Sequence, residues 1–112
     1  FNMTVCFDVD GTLINFDNTP CHNTIDIMRW FIENGHHVVI WSGGGQDYAN
    51  HWKDKLGFNG YRFGSTYFQT PETCMKDKEN SERLKPDICF DDEFVSLARV
   101  NIKVTPRLTA IV

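Results

Sequence analysis

The sequence lacks any apolar run near the roughly 20 residues that a membrane-spanning helix needs, and it shows no charged-then-apolar leader. It also lacks an excess of basic residues, because 11 Lys and Arg stand against 15 Asp and Glu for a net charge of -4. A nucleic acid would have to be held by a local basic patch, so we expect one only as a substrate. No membrane partner is expected.

Cysteines are few, and their spacing follows no metal-binding pattern. The four cysteines lack CxxC spacing, which argues against a zinc site, and Cys6 and Cys89 lie within apolar runs. Buried free thiols are common in reducing compartments, and a disulfide framework is expected only in much smaller secreted domains. We therefore expect a cytoplasmic protein.

The residues that are present suit one compact domain. The chain has 112 residues, of which 41% are hydrophobic and 23% charged, a balance typical of a globular protein. This length allows one core and is too short for two. No internal repeat or linker divides the sequence, so we predict a single domain over residues 1–112.

Strand-like and helix-like segments alternate along the chain. Met3–Phe7 and His37–Trp41 are unbroken apolar runs, typical of strands that are covered on both faces. Further strands are predicted at residues 61–63, 87–90 and 101–105, helices at 24–34, 46–56 and 94–100, and a loop with at most one short helix at 64–84. The alternation predicts an α/β fold, a doubly wound (Rossmann-like), mainly parallel sheet of about five strands with helices on both faces.

Acidic residues follow two of the predicted strands. Asp8 and Asp10 end the first strand, and Asp91 and Asp92 end the fourth. Two carboxylates at the end of a buried strand cannot both be buried without a compensating positive charge. Because the carboxyl ends of parallel strands open on one edge of a sheet, we expect these acids to gather around a cation there.

Two other features point to the same edge. The segment Ser42-Gly43-Gly44-Gly45 follows the second strand, and a glycine cluster in that position lets backbone amides approach an anion. Lys85 precedes the fourth strand through Lys85-Pro86. The predicted site therefore combines acids, a hydroxyl, backbone amides and a lysine.

Together these features resemble the four signatures of the haloacid dehalogenase (HAD) superfamily, whose members are mostly Mg-dependent phosphohydrolases. The opening signature is Asp8-Val9-Asp10-Gly11-Thr12. The resemblance implies that Asp8 is a nucleophile that forms an acyl phosphate and that Asp10 is a general acid and base. It implies Mg²⁺ between Asp8, the backbone carbonyl of Asp10, and Asp91, with Asp92 acting through a water or orienting the others.

The same resemblance assigns the phosphate contacts. Ser42 and the amide of Gly43 would hold phosphate oxygens, and Lys85 would bind both Asp8 and the phosphate. Three other lysines compete for the role of Lys85: Lys55, Lys76 and Lys78. Many members carry an Arg two residues after the Ser, where this chain has Gly44.

The intervals in which larger members carry cap domains are short here. They are Asn15–Cys21 and Gly57–Leu84, too short for an independent domain. The resemblance therefore implies a capless enzyme with an open site, a type that often acts on macromolecular phosphates or forms oligomers that cover the site. A small phosphorylated substrate is the alternative if Gly64–Leu84 folds over the site as a lid.

Hydrolysis of a phosphomonoester is the leading hypothesis, and three alternatives are kept. Phosphotransfer to an acceptor other than water is not separable from hydrolysis by sequence. A receiver-type signalling domain also groups acids, a hydroxyl and a Lys around Mg²⁺, but its acidic pair comes first and its Lys last, unlike the order here. A degenerate member that only binds phosphate is disfavoured because all the expected acids are present.

Overall fold

Five strands form one parallel sheet in the computed structural model, which describes residues 2–106. The strands within these residues are β1 (Thr4–Asp8), β2 (His37–Ser42), β3 (Arg62–Phe63), β4 (Thr66–Tyr67), β5 (Glu72–Met75), β6 (Ile88–Asp91) and β7 (Val100–Lys103). The sheet order is β5-β2-β1-β6-β7, and all four pairings within it are parallel. Residue 1 and residues 107–112, the ends of the predicted domain, lie outside the described residues.

Helices cover both faces of this sheet. They are α1 (His22–Glu33), α2 (Gln46–Lys55) and α3 (Lys78–Leu84). Apolar residues of α1 and α2 pack with Phe7, Ile40 and Phe90 in one core cluster, and the Phe7 and Phe90 rings stack at 4.7 Å. Leu84 of α3 packs on a second cluster around Trp41 and Cys89. The predicted doubly wound α/β fold is thus confirmed.

The helix α1 follows from its sequence pattern. Its buried apolar residues are Ile25, Met28, Phe31 and Ile32, which lie on one face at helical spacing. The chain leaves the helix at Asn34 and Gly35, whose φ of +81° is a left-handed conformation that glycine adopts without strain. None of the helices within residues 2–106 is long and apolar enough to cross a bilayer.

The third strand of the sheet differs from the one predicted. Residues 61–63 do not join the sheet, because β3 pairs antiparallel with β4 in a separate hairpin. The place beside β2 is taken by β5, within the segment predicted to be a loop. An edge strand needs few apolar side chains, and only Thr73 and Cys74 of β5 are buried, so its sequence carries little strand signal.

The predicted helix at 94–100 is also wrong. Residues 92–99 are turns and irregular backbone, and β7 begins at Val100. The Asn101 side chain accepts the N–H groups of Leu97 and Ala98, both at 3.0 Å, and so satisfies amides that a helix would have paired internally. Leu97 nevertheless packs against the second core cluster.

We predict that Ile40→Val lowers the free energy of unfolding by about 0.5–1.5 kcal/mol, because Ile40 is fully buried between the sheet and its helices. Ile27→Val removes the same methylene from the exposed side of α1 and should change stability by less than about 0.5 kcal/mol. Urea denaturation of both variants measures the difference. Equal losses would contradict the burial of β2.

Candidate functional site

The acidic residues from the two halves of the chain meet at the carboxyl edge of the sheet. Asp8 ends β1 and Asp91 ends β6, and these neighbouring strands lie in register at Phe7 and Phe90. Carboxylate oxygens of Asp8, Asp91 and Asp92 lie within 4.8 Å of one another. Asp91 is fully buried and Asp8 is 5% exposed, so both charges are shielded from water.

Lys76 is the cation that contacts this acidic cluster of Asp8, Asp91 and Asp92. Its Nζ donates to Asp8 Oδ1 at 3.1 Å and to Asp91 Oδ2 at 2.9 Å. Burial by itself lowers the pKa of Lys76, but the hydrogen bonds and negative charges of the two carboxylates outweigh it and raise the pKa above its usual range. Lys76 therefore stays an ammonium ion at physiological pH.

The prediction that Lys85 approaches Asp8 is corrected by this geometry. Lys85 lies at the C-terminal end of α3, exposed and in a left-handed conformation with φ of +47°. Since α3 leads from the carboxyl end of β5 to the amino end of β6, its last residue lies at the opposite edge of the sheet from the acids. Lys76 instead follows β5 directly.

The other two lysines considered as the partner of Asp8 lie elsewhere. Lys78 is exposed in the first turn of α3, and Lys55 lies over the Trp52 ring at 5.4 Å. Lys76 would have been recognised from sequence if β5 had been, because a residue directly after a parallel strand lies at the carboxyl edge. The wrong choice of lysine therefore follows from the failure to predict β5.

Ser42 lies at the same edge, at the end of β2 beside β1. It is 3% exposed, and its Oγ accepts the N–H of Gly44 at 3.0 Å, which leaves the hydroxyl proton available for a ligand. The Ser42 carbonyl accepts the Lys76 N–H at 2.8 Å and so fixes the turn after β2 to the turn after β5. Ser42 and Gly43 both line the cleft beside Asp8.

Asp10 lies outside the acidic cluster but on the same cleft. Its side chain is exposed, and its Oδ1 accepts a hydrogen bond from the hydroxyl of Tyr48 at 2.6 Å. The turn that carries Asp10 requires Gly11, whose φ is +77° and on which a Cβ would lie 2.6 Å from Asp92 Oδ2. The glycine of the opening signature therefore lets Asp92 approach the end of β1.

The cleft at this edge has a volume of about 260 Å³ and is open to solvent on one side. Asp8, Asp10, Ser42 and Lys76 line it, and the exposed ring of Phe16 lies at its rim. A larger cleft of about 380 Å³ lies between residues 15–24 and Val104–Thr105, and no carboxylate lines it. The smaller cleft is the candidate active site because the ionisable groups converge there.

The charge balance of the acidic cluster fits a bound divalent cation. Three carboxylates face one ammonium ion, and burial, followed by the negative charge of Asp91, raises the pKa of Asp8 to about 7 although Lys76 opposes the shift. Burial also raises the pKa of Asp92. A hard cation with a preference for oxygen ligands, such as Mg²⁺, would relieve this excess of negative charge.

Comparison with known proteins identifies a matching family. The family model of the haloacid dehalogenase-like hydrolases matches residues 5–85, which include Asp8, Asp10, Ser42 and Lys76. The match ends before Asp91 and Asp92, which are brought to the site by β6. No curated protein and no solved structure matches the chain.

Tyr48 is a residue of the site that sequence reasoning missed. It lies in α2, and its contact with Asp10 joins residues 38 positions apart. A single tyrosine near the start of a helix carries no motif that would indicate this contact. The structure alone reveals it.

We predict that Lys76→Met destabilises the fold by about 1–3 kcal/mol at pH 8, because it leaves buried carboxylates without their partly exposed hydrogen-bonding cation. The loss should be smaller at pH 4. Since burial raises the pKa of folded Asp8 to about 7, its carboxyl is protonated there and needs no partner. Lys85→Met is the matched control and should stay within about 0.5 kcal/mol at both pH values. Equal urea-denaturation midpoints for the two variants at pH 8 would refute the placement of Lys76.

Proposed function

Because the chain belongs to the haloacid dehalogenase-like hydrolases, we propose that it is a phosphohydrolase that cleaves a phosphomonoester through an aspartyl phosphate on Asp8. The observation that carries this proposal is that Asp8, buried beside two further carboxylates, lines the same cleft as Lys76, Ser42 and Asp10. A nucleophile, a cationic group, a hydroxyl donor and a second carboxyl group are the parts that phosphoryl transfer requires.

In the first step the Asp8 carboxylate attacks phosphorus. The bond from Asp8 oxygen to phosphorus forms as the bond from phosphorus to the leaving-group oxygen breaks, and Asp10 donates a proton to that oxygen. Lys76 and Ser42 hold the phosphoryl oxygens during the transfer. The leaving group departs as a neutral alcohol.

In the second step a water molecule attacks the aspartyl phosphate. Asp10, now ionised, removes a proton from the water, the bond from phosphorus to Asp8 oxygen breaks, and inorganic phosphate is released. Asp8 returns as a carboxylate and Asp10 as an acid, so the cycle is closed. The exposed position of Asp10 at the cleft gives it access to both the leaving group and water.

Mg²⁺ is proposed as the cofactor of this reaction. Asp8, Asp91 and Asp92 would hold it together with the backbone carbonyl of Asp10. When bound, Mg²⁺ supplies positive charge that offsets the phosphoryl oxygens. The raised pKa of Asp8 supports this assignment, because with Lys76 as its cationic partner burial still favours the protonated carboxyl, which is a poor nucleophile.

The open cleft supports a capless enzyme. We do not propose residues 64–84 as a lid over the cleft. That segment contributes β4, β5 and α3 to the fold, and of its residues only Lys76 lines the cleft. We propose that the phosphate group, small-molecule or macromolecular, enters from solvent. The leaving group then extends past the rim at Phe16, which is 67% exposed.

We predict that Asp8→Asn abolishes release of inorganic phosphate from 4-nitrophenyl phosphate and abolishes the phosphoenzyme seen by intact-protein mass spectrometry after acid quenching. Asp10→Asn should slow turnover by about 10²- to 10⁴-fold, because it removes the acid and base and retains the nucleophile. Asp26→Asn, at an exposed ion pair with Arg29, is the control and should turn over at the wild-type rate.

Turnover by Asp8→Asn at the wild-type rate would refute the mechanism. Both products should be measured, because a phosphotransferase would release 4-nitrophenol with less than one equivalent of inorganic phosphate. Equal amounts of the two products support hydrolysis.

A further inference from the structure

The hydrogen bond between Tyr48 and Asp10 has no part in the mechanism described so far. The Tyr48 hydroxyl donates to Asp10 Oδ1 at 2.6 Å, a short O–H···O hydrogen bond. This hydrogen bond raises the pKa of Tyr48, burial adds to the increase, and a side-chain hydrogen bond with Trp52 opposes it. The phenol therefore keeps its proton and acts as the donor.

The ring of Tyr48 is held in place by packing. A Cβ at Gly44 would lie 3.5 Å from Tyr48 Cγ and Cδ2, an ordinary van der Waals distance, so the ring lies beside the turn after β2. Tyr48 also packs against the core cluster that contains Trp52, one helical turn further along α2. The hydroxyl therefore reaches Asp10 from a ring whose position is set by the fold.

Asp10, in contrast, is an exposed carboxyl group on a turn. An acid and base must present one particular oxygen to the leaving group and then to water, and an exposed carboxyl can rotate about its side-chain bonds. A carboxylate has two oxygens, and a donor that occupies one of them leaves the other for proton transfer. The hydrogen bond from Tyr48 removes this rotational freedom at Oδ1.

We propose that Tyr48 is a positioning residue that fixes Asp10 so that Oδ2 carries the transferred proton, an inference that rests on the proposed function of Asp10. Oδ2 gives its proton to the leaving-group oxygen as the bond from that oxygen to phosphorus breaks and the bond from phosphorus to Asp8 forms. It takes a proton from the attacking water in the second step. Tyr48 stays protonated throughout and contacts neither substrate nor phosphate.

The test compares substrates that need the acid to different extents. An alkyl phosphate such as glycerol 2-phosphate has a basic leaving group that requires protonation, whereas 4-nitrophenolate leaves without it. Tyr48→Phe keeps the ring packing and removes the hydroxyl. We expect it to lower kcat/KM about tenfold for glycerol 2-phosphate and less than about threefold for 4-nitrophenyl phosphate.

Two matched variants separate positioning from a general structural effect. Tyr61→Phe removes another tyrosine-to-carboxylate hydrogen bond, to Glu33, and should leave the ratio of the two kcat/KM values unchanged. In an Asp10→Asn background, Tyr48→Phe should no longer change that ratio, because the group that it positions is gone. Melting temperatures of all variants establish that they are folded.

Equal losses on both substrates, or a leaving-group effect that persists in the Asp10→Asn background, would overturn the role of Tyr48. Either result would leave the proposed function standing as long as the wild type hydrolyses both substrates. A folded wild-type protein that hydrolyses neither substrate with Mg²⁺ present would instead overturn the proposed function, and the role of Tyr48 with it.

Discussion

Three carboxylates gathered at the ends of two buried strands share one ammonium group, and the rest of the site is arranged around this imbalance of charge. Lys76 bridges Asp8 and Asp91, both nearly inaccessible to water, and Asp92 adds a further negative charge. Burial keeps the pKa of Asp8 near 7 although its partner is fully charged. A further cation would stabilise a site with this excess of negative charge. Without it, the repulsion between the carboxylates lowers the stability of the fold.

The topology explains why these groups meet. The strand order reverses at β1, since β2 and β5 lie on one side of it and β6 and β7 on the other. Ligands of open α/β sheets bind at such a switch point, beyond the carboxyl ends of the strands. Here the carboxyl ends of four strands supply the groups of the site: β1 ends in the carboxylate Asp8, β2 in the hydroxyl of Ser42, β5 is followed by the ammonium of Lys76, and Asp91 and Asp92 come at the end of β6.

Much of this arrangement was predictable from the sequence, and the failures have physical reasons. The central strands are unbroken apolar runs, so β1, β2 and β6 were predicted, together with the acids that end β1 and β6. The edge strand β5 buries only two residues and carries no such run, so it was not predicted. Without β5, Lys76 could not be placed at the carboxyl edge, and Lys85 was chosen instead. The helix predicted at 94–100 failed because the Asn101 side chain satisfies the backbone there, a tertiary contact that residue spacing does not reveal.

The most direct test of the account is the binding of Mg²⁺ to the acidic cluster, followed through the melting temperature in the absence of any substrate. Mg²⁺ at 100 times its dissociation constant should add about 2.7 kcal/mol to the wild-type stability. Asp91→Asn should lose this stabilisation, and Asp54→Asn, an exposed carboxylate of α2, should keep it. A wild type that gains nothing from Mg²⁺, or an Asp91→Asn variant that gains as much, would contradict the account.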